Sequence, residues 1–387
     1  MKQDVLLNLF FKISSDETME EKIKRLIEWS KGSPMGPISI HLDPTNKCNL
    51  RCRFCWQRSH ERFGWLDRTT ELSGSKLLSI VKEGAELGVM DWLISGGGEP
   101  FVRTDATVAV MRAIKKYGMR GDIITNGTMP AARHLKEIVK CGWDAFRVSI
   151  NAPTAEEHDF LVDRGGAFEK AVENIKKLAE LKREFKTENP EIGFNTVINR
   201  KNYFRMPEII EFLHELGGSF INVQTIILYS KEEQKWSLKE EHRKDSQKYI
   251  KKAIGISNSL GIRTNLDSYL DKDVMRDSTE MDKMKDLGLG DIKNIEHRNK
   301  FVKTFCFEPF YLVTIRSNGT VGSCRLFGDE GDNIMNKTLK EVWFGEYFNK
   351  ARHAQMTGTI PAFCSKCGSN EFLENRRIRN ELIRVSS

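Results

Sequence analysis

The sequence predicts an α/β fold. Six βα units build a parallel sheet that curls into a partial (β/α)6 TIM-like barrel, and a small C-terminal α+β domain follows. Three observations carry this reading. Short β-rich runs alternate with amphipathic stretches from Pro37 to about residue 230. Several of those stretches end in glycine, as helices often do. Strand-like patterning resumes at Phe301, after a charged interval.

The elements follow in order. Residues 1–35 read as a helical preamble, with the apolar run Val5–Phe11 forming one helix face. Residues 36–230 form the core. Its predicted strands are Ile38–Leu42, Asp91–Ser95, Gly121–Thr125, Ala145–Ile150, Gly193–Ile198 and Phe220–Ile226. Helical patterns lie between them at Gly74–Leu87, Ala106–Tyr117, Ala131–Lys140, Ala167–Phe185 and Met206–Leu216, and Gly88, Gly118, Gly142 and Gly217 follow four of these. Residues 231–300 are strongly charged and read as a helical connector. Residues 301–387 form the small domain, with a strand at Tyr311–Ile315 and a turn at Asn318-Gly319.

Composition narrows the class. The chain has 387 residues, a formal net charge of +7 and 39% hydrophobic residues, enough for one large core and a smaller one. The apolar run near the N-terminus is too short to span a bilayer, and acidic residues follow it where a signal peptide would have small ones. The expectation is therefore a cytoplasmic protein with reduced thiols and no membrane partner. Its eight cysteines then point to metal or catalysis before disulfides. The basic excess is mild and needs no nucleic-acid partner to explain it.

Cys48, Cys52 and Cys55 form C-x3-C-x2-C on the loop after the first strand. Three thiolates can hold three irons of a [4Fe–4S] cubane, which usually takes four cysteines, so one iron is left open. Structural zinc wants four closed ligands, and His60 is the one local candidate for a fourth. The spacing, with Phe54 at the aromatic position before the last cysteine, resembles the signature of the radical S-adenosylmethionine (radical SAM) superfamily. The resemblance implies that the open iron binds S-adenosylmethionine. It further implies that one electron cleaves that cofactor to a 5′-deoxyadenosyl radical, which abstracts hydrogen from an organic substrate.

The resemblance extends downstream, over about residues 36–230. Gly96-Gly97-Gly98-Glu99 ends the second strand and is similar to the family's GGE motif. It implies close backbone approach to the methionine ammonium, with Glu99 as charge partner. Thr125 and Asn126 end the third strand, and Ser149 and Asn151 end the fourth. Both pairs resemble segments that line the cofactor, although turn and helix-capping roles account for them equally well. Asn199 and Gln224 are further candidates for ribose or adenine contacts, and Phe54, Gly97 and Gly98 complete the cofactor set.

Cys306, Cys324, Cys364 and Cys367 supply a second, closed four-thiolate set. On chemistry alone this is a zinc ribbon or a second [4Fe–4S] cluster. The arrangement resembles the SPASM extension or its shorter form, twitch, and no cysteine follows Cys367, so one fully ligated auxiliary cluster is implied. Cys141 is left over and reads as structural.

The expected function is a radical SAM oxidoreductase, with two [4Fe–4S] clusters and S-adenosylmethionine, that carries out a two-electron oxidation of a small molecule such as a carbohydrate or aminocyclitol. The alternatives are a peptide or protein maturase and a radical epimerase. The resemblance also implies a flavodoxin or ferredoxin-type electron donor. Candidate bases are His41, Arg58, His60, Glu308 and Arg325.

Overall fold

The computed structural model describes residues 16–58, 67–226, 231–270, 305–325, 331–358, 364 and 369–386. In chain order, the first half runs α1 (Asp16–Ser30), β1 (Ser39–Leu42), α2 (Gly74–Glu86), β2 (Asp91–Ile94), α3 (Thr104–Lys116), β3 (Arg120–Thr125), α4 (Ala132–Lys140), β4 (Ala145–Val148), α5 (Ala155–Val162) and α6 (Ala167–Phe185). The second runs β5 (Glu191–Ile198), α7 (Met206–Glu215), β6 (Phe220–Thr225), α8 (Lys231–Gln234), α9 (Glu240–Leu260), β7 (Arg263–Thr264), β8 (Leu312–Ile315), β9 (Thr320–Gly322), β10 (Asp332–Asn333), α10 (Leu339–Trp343), α11 (Glu346–Thr357) and α12 (Ser369–Ser386).

Contacts divide the chain into two compact units. One comprises the described residues within 16–47, 67–122 and 305–386; the other comprises those within 48–58 and 123–270. This division cuts across the boundaries expected at residues 35, 230 and 300.

In the unit that contains β1, that strand pairs in parallel on both sides. Leu42 lies opposite Ile94 of β2 and opposite Ile315 of β8. β8, β9 and β10 continue as an antiparallel meander. The turn between β8 and β9 places Gly319 at φ +85, a conformation that favours glycine. A Cβ on Gly84 of α2 would lie 3.0 Å from the Trp92 ring and 3.5 Å from Ile40 Cδ1, so Ile40 and Trp92 face that helix. By strand alternation, His41 and Asp43 point to the opposite face. Arg25 of α1 ties this layer together: its guanidinium donates to the carbonyls of Gly36, Pro37 and Gly88 at 2.7–3.1 Å. Beside it, Met19, Ile23 and Leu26 of α1 pack with Tyr311, Leu312 and Ile378.

In the other unit β4, β5, β6 and β7 are parallel neighbours. The side-chain amide of Asn265 accepts from Val223 N–H and donates to Val223 C=O, both at 2.8 Å, completing the hydrogen bonds of β6 beyond short β7.

Two sequence expectations change. The described part of the charged connector, residues 231–270, folds as α8, α9 and β7 and adds a strand to the sheet. Its charge concealed a buried stripe: Ser246, Ile250, Ala253 and Ser257 recur three or four residues apart along α9. Helix α5 matches none of the expected helical stretches. Its apolar Phe160, Leu161 and Val162 are bunched at one end instead of spaced around a face, and its start is fixed by Thr154 Oγ1, which accepts from Glu157 N–H. The Val5–Phe11 run and residues 271–300 lie outside the described residues.

His158 of α5 is buried, and its Nδ1 accepts from Asn151 N–H at 3.2 Å. Desolvation pushes its pKa down from 6.5 to about 4, against a smaller opposing effect of Asp159. The unfolded chain therefore takes up a proton first as pH falls, so the stabilisation is complete above pH 6.5 and lost toward pH 4. In urea titrations, the stability difference between wild type and His158→Gln is expected to shrink by about 2 kcal/mol from pH 7 to pH 4.5. A constant difference would refute this linkage.

Candidate active site with two cysteine sets

The segment leaving β1 is pinned before it reaches the first cysteine. Asp43 N–H donates to Ile315 C=O at 2.9 Å. Thr45 Oγ1 donates to Glu71 at 2.6 Å and accepts from Lys47 N–H at 3.0 Å. The glycine run after β2 closes on this stretch: Gly98 N–H donates to Thr45 C=O at 2.8 Å, and Glu99 N–H to Lys47 C=O at 2.9 Å. A Cβ on Gly98 would run into the Lys47 carbonyl, and one on Gly97 into the Asn46 side chain. The chain's own close approach thus already requires glycine at 98, where the contact is with backbone, while a side chain at 97 would displace the Asn46 amide. Glu99 is buried, and one carboxylate oxygen caps the short helix at Pro100–Arg103 by accepting from Phe101 N–H.

The cysteine loop itself is stitched to the end of α5. Arg51 N–H donates to Val162 C=O at 3.3 Å and Arg53 N–H to Leu161 C=O at 2.9 Å. These carbonyls have no partner within the helix, so the loop takes up the helix end. Asn49 donates to Thr128 Oγ1 and accepts from Asn126 Nδ2, both at 2.8 Å. Phe54 is buried against Ala152, Leu161 and Ile226.

The thiols of this loop sense one another. Desolvation raises the Cys52 pKa well above its ordinary value, with further increases from Cys55 and Cys48; Arg58 works the other way. Burial likewise pushes Cys55 up to about 11, opposed by a backbone hydrogen bond from Gln57 and by Arg58, while Cys48 adds to the rise. Three clustered, mutually repelling thiols suit a cationic group that takes one thiolate per iron. Among the described residues, no three His, Cys, Asp or Glu side chains converge on one point as a single ion would need, and a cubane does not ask for that.

The remaining expected cofactor contacts have structural partners as well. Thr125 Oγ1 accepts from Gly127 N–H, and Asn126 Oδ1 accepts from both the N–H and the hydroxyl of Thr128. Ser149 is half-buried, its N–H donating to Thr125 C=O. Asn151 Oδ1 accepts from Val197 N–H at 2.9 Å. Asn199 is fully buried and closes its own turn, accepting from Lys201 N–H and donating to Val197 C=O. Gln224 donates to Asn195 at 3.3 Å.

In the other unit, Cys306, Cys324 and Cys364 are half-buried, and Cys367 lies outside the described residues. Cys306 N–H donates to Gln355 at 3.1 Å, and Phe307 N–H to Asn375 at 2.6 Å. Burial pushes the Cys306 thiol far up and Cys364 up to about 12, and buried Glu308 raises both. Ser323 N–H, next to Cys324, donates to Tyr347 Oη. Gln355, Asn375 and Tyr347 come from α11 and α12, and no spacing rule connects them to the cysteines in sequence. Cys141 ends α4, its Sγ donating to Ile138 C=O.

At the C-terminal ends of β1, β2 and β8, His41 Nε2 lies 2.5 Å from Ser95 Oγ and 3.5 Å from Asp43 Oδ1. Asp43 is buried and accepts from Arg316 at 2.7 Å. Of the candidate bases, His41 thus stands at strand ends, where α/β barrels carry their chemistry. His60 lies outside the described residues.

Comparison with known proteins agrees with this picture. Residues 42–190 match the radical SAM superfamily, and residues 306–368 match SPASM, an iron–sulfur cluster-binding domain. The chain belongs to the radical SAM superfamily, with a C-terminal SPASM-type domain. It is 30% identical over 191 residues to the tungsten-containing aldehyde ferredoxin oxidoreductase cofactor-modifying protein of Pyrococcus furiosus, covering 49% of this chain and 51% of that protein. It is 28% identical over 194 residues to the PqqA peptide cyclase of Granulibacter bethesdensis, covering 50% and 48%. The chain thus spans about half the length of each. With the AdoMet-dependent heme synthase of Oleidesulfovibrio alaskensis it shares 25% identity over 355 residues, 88% of this chain and 81% of that one. Streptococcus suis SuiB bound to its precursor peptide SuiA superposes with a TM-score of 0.59 at 16% identity, over 91% of this chain and 77% of that one. The fold is the α/β partial barrel expected from the sequence, and its cofactors are two [4Fe–4S] clusters and S-adenosylmethionine. Among the described residues no helix is long and apolar enough to cross a membrane.

Two outcomes test the site. A Cys48→Ala/Cys52→Ala/Cys55→Ala variant, reconstituted anaerobically, is expected to retain about four irons per chain on the second cysteine set; zinc in place of iron would exclude the auxiliary cluster. Gly98→Ala is expected to cost roughly 2–4 kcal/mol, because its Cβ meets backbone. Its iron content should fall toward that of the triple-cysteine variant, and wild-type iron content would show that the contact does not hold the loop.

Proposed function

We propose that this protein is a radical SAM oxidoreductase that modifies a peptide or protein. The observation that carries the substrate class is the match to PqqA peptide cyclase, which runs through the radical SAM half. None of the relatives named above has a carbohydrate or aminocyclitol in its name, so the peptide alternative replaces that expectation. Bound to Cys48, Cys52 and Cys55, the first cluster with S-adenosylmethionine would supply the hydrogen-abstracting radical. We keep Phe54, Gly97, Gly98, Glu99, Thr125, Asn126, Ser149, Asn151 and Gln224 as residues that shape cofactor binding; Asn199 we assign to the fold.

The chain's own contribution to oxidation is a place for the proton. His41, between Ser95 and Asp43, is the base we propose, with Asp43 held by Arg316. Cys306, Cys324, Cys364 and Cys367 would hold the electron acceptor, and a flavodoxin or ferredoxin would return electrons from outside.

A second reading has its own support. The heme synthase similarity runs nearly end to end, unlike the peptide cyclase match. The two separate in one experiment. The anaerobic holoenzyme is incubated with S-adenosylmethionine, a reductant and short peptides encoded beside its gene. Loss of two hydrogens from a peptide, read by mass spectrometry, is the expected result. Unchanged peptides, with haem absorption appearing when a porphyrin precursor is supplied instead, would favour the second reading. His41→Gln is expected to slow substrate conversion at least tenfold while leaving cleavage of S-adenosylmethionine within about twofold; equal loss of both would remove His41 from the base role.

A further inference from the structure

Arg58 stands three residues past Cys55, on the cysteine loop. Its Nη2 donates to Arg51 C=O, which lies between Cys48 and Cys52 in the loop, and to Asp163 Oδ2 at 3.1 Å. Its Nε is buried and has no hydrogen-bond partner among the described residues. A buried guanidinium N–H without a partner is costly, so a site that retains one has a use for it. Its guanidinium lies within electrostatic reach of both Cys52 and Cys55.

Asp163 is the residue that aims this group. It follows α5 with φ +58, a left-handed conformation uncommon for a residue other than glycine. There its carboxylate receives Arg53 on one oxygen and Arg58 on the other. Arg53 is fixed further by the Phe160 carbonyl at 2.7 Å and by the Phe160 ring at 4.7 Å. Arg164, the next residue, donates to Asn49 C=O at 3.0 Å. The turn after α5 thus grips the loop at Asn49, Arg53 and Arg58.

We infer that Arg58, aimed by Asp163, points its Nε–H at the iron–sulfur cluster held by Cys48, Cys52 and Cys55 and raises that cluster's reduction potential. Hydrogen bonds to cluster sulfurs and nearby charge both set such potentials. Asp163 is then a positioning residue whose removal acts through Arg58. This rests on the cluster assignment for the three cysteines. Failure of that assignment would appear separately, as no loss of iron in the triple-cysteine variant.

The signs discriminate. If Asp163 only neutralised two arginines, Asp163→Asn would leave positive charge uncompensated and raise the potential. If it aims Arg58, the same change lowers the potential, as Arg58→Gln does. The test is an EPR-monitored redox titration of the full-chain holoenzyme, with the signal assigned by its loss in the triple-cysteine variant. Arg58→Gln is expected to lower the potential by about 59 mV or more, a tenfold change in the ratio of oxidised to reduced cluster. Asp163→Asn should move it the same way, and Arg58→Lys less far. An unmoved potential in Arg58→Gln with full iron content, or a rise in Asp163→Asn, overturns the proposal. Should Arg58→Gln fail to hold iron, Arg58→Lys and Asp163→Asn are read by the same signs: both lower supports it, either unchanged or higher overturns it.

Discussion

The two-sided pairing of β1 is the constraint on which the site depends. A strand held by parallel neighbours at both edges has no freedom to slip, since a shift of one residue would turn its whole buried face outward. β1 is locked to β2 and β8 at every residue from Ser39 to Leu42. The chain therefore leaves the sheet in a fixed direction, and Asp43, Thr45 and Lys47 are caught in turn by Ile315, Glu71 and the glycine run. By the time it reaches Cys48 the backbone has little choice of path. From Cys48 onward the loop has its own anchors: Phe54 is buried against Ala152, Leu161 and Ile226, and the backbone bonds to the end of α5.

Order in the loop is needed because its chemistry opposes it. Burial and mutual repulsion favour the neutral thiols, whereas metal ligation needs thiolates. The unloaded loop thus holds its protons, and iron must displace them. The second cysteine set has the same character, with Glu308 adding negative charge beside Cys306 and Cys364. The scaffold is made of protein groups: the end of α5 and the Asn126–Asn49–Thr128 side-chain relay at the first set, and Gln355 and Asn375 at the second.

The sequence made the alternation of strands and helices legible, along with the cysteine spacing, because both are local patterns of side-chain type. It did not reveal what the motif residues do for the fold. Gly97 and Gly98 read as room for a ligand, yet the crowding at their Cα atoms comes from Asn46 and Lys47, about fifty residues away in sequence. Asn199 read as a ligand contact and is an amide closing a turn. Helix α9 read as a charged helical connector because charge dominates its composition, while Ile250 is the one large apolar side chain of a buried stripe otherwise made of Ser246, Ala253 and Ser257. Asp163 had no signal at all, since its role depends on a backbone conformation and on arginines more than a hundred residues away.

The C-terminal domain changes meaning in this light. As a sequence it reads as an appended cluster carrier. In the fold, its first strand is the second neighbour of β1, and its Arg316 is the cation that makes a buried Asp43 tolerable. Asp43 in turn faces His41, which contacts Ser95 at the end of β2. Without β8, one edge of β1 would lose its hydrogen bonds, and Asp43 would be a buried carboxylate facing only a histidine. The domain that carries the second cysteine set therefore also completes the pairing of β1 and supplies the cation beside Asp43, so the polar group at the end of β1 and Cys306, Cys324 and Cys364 belong to the same folded unit.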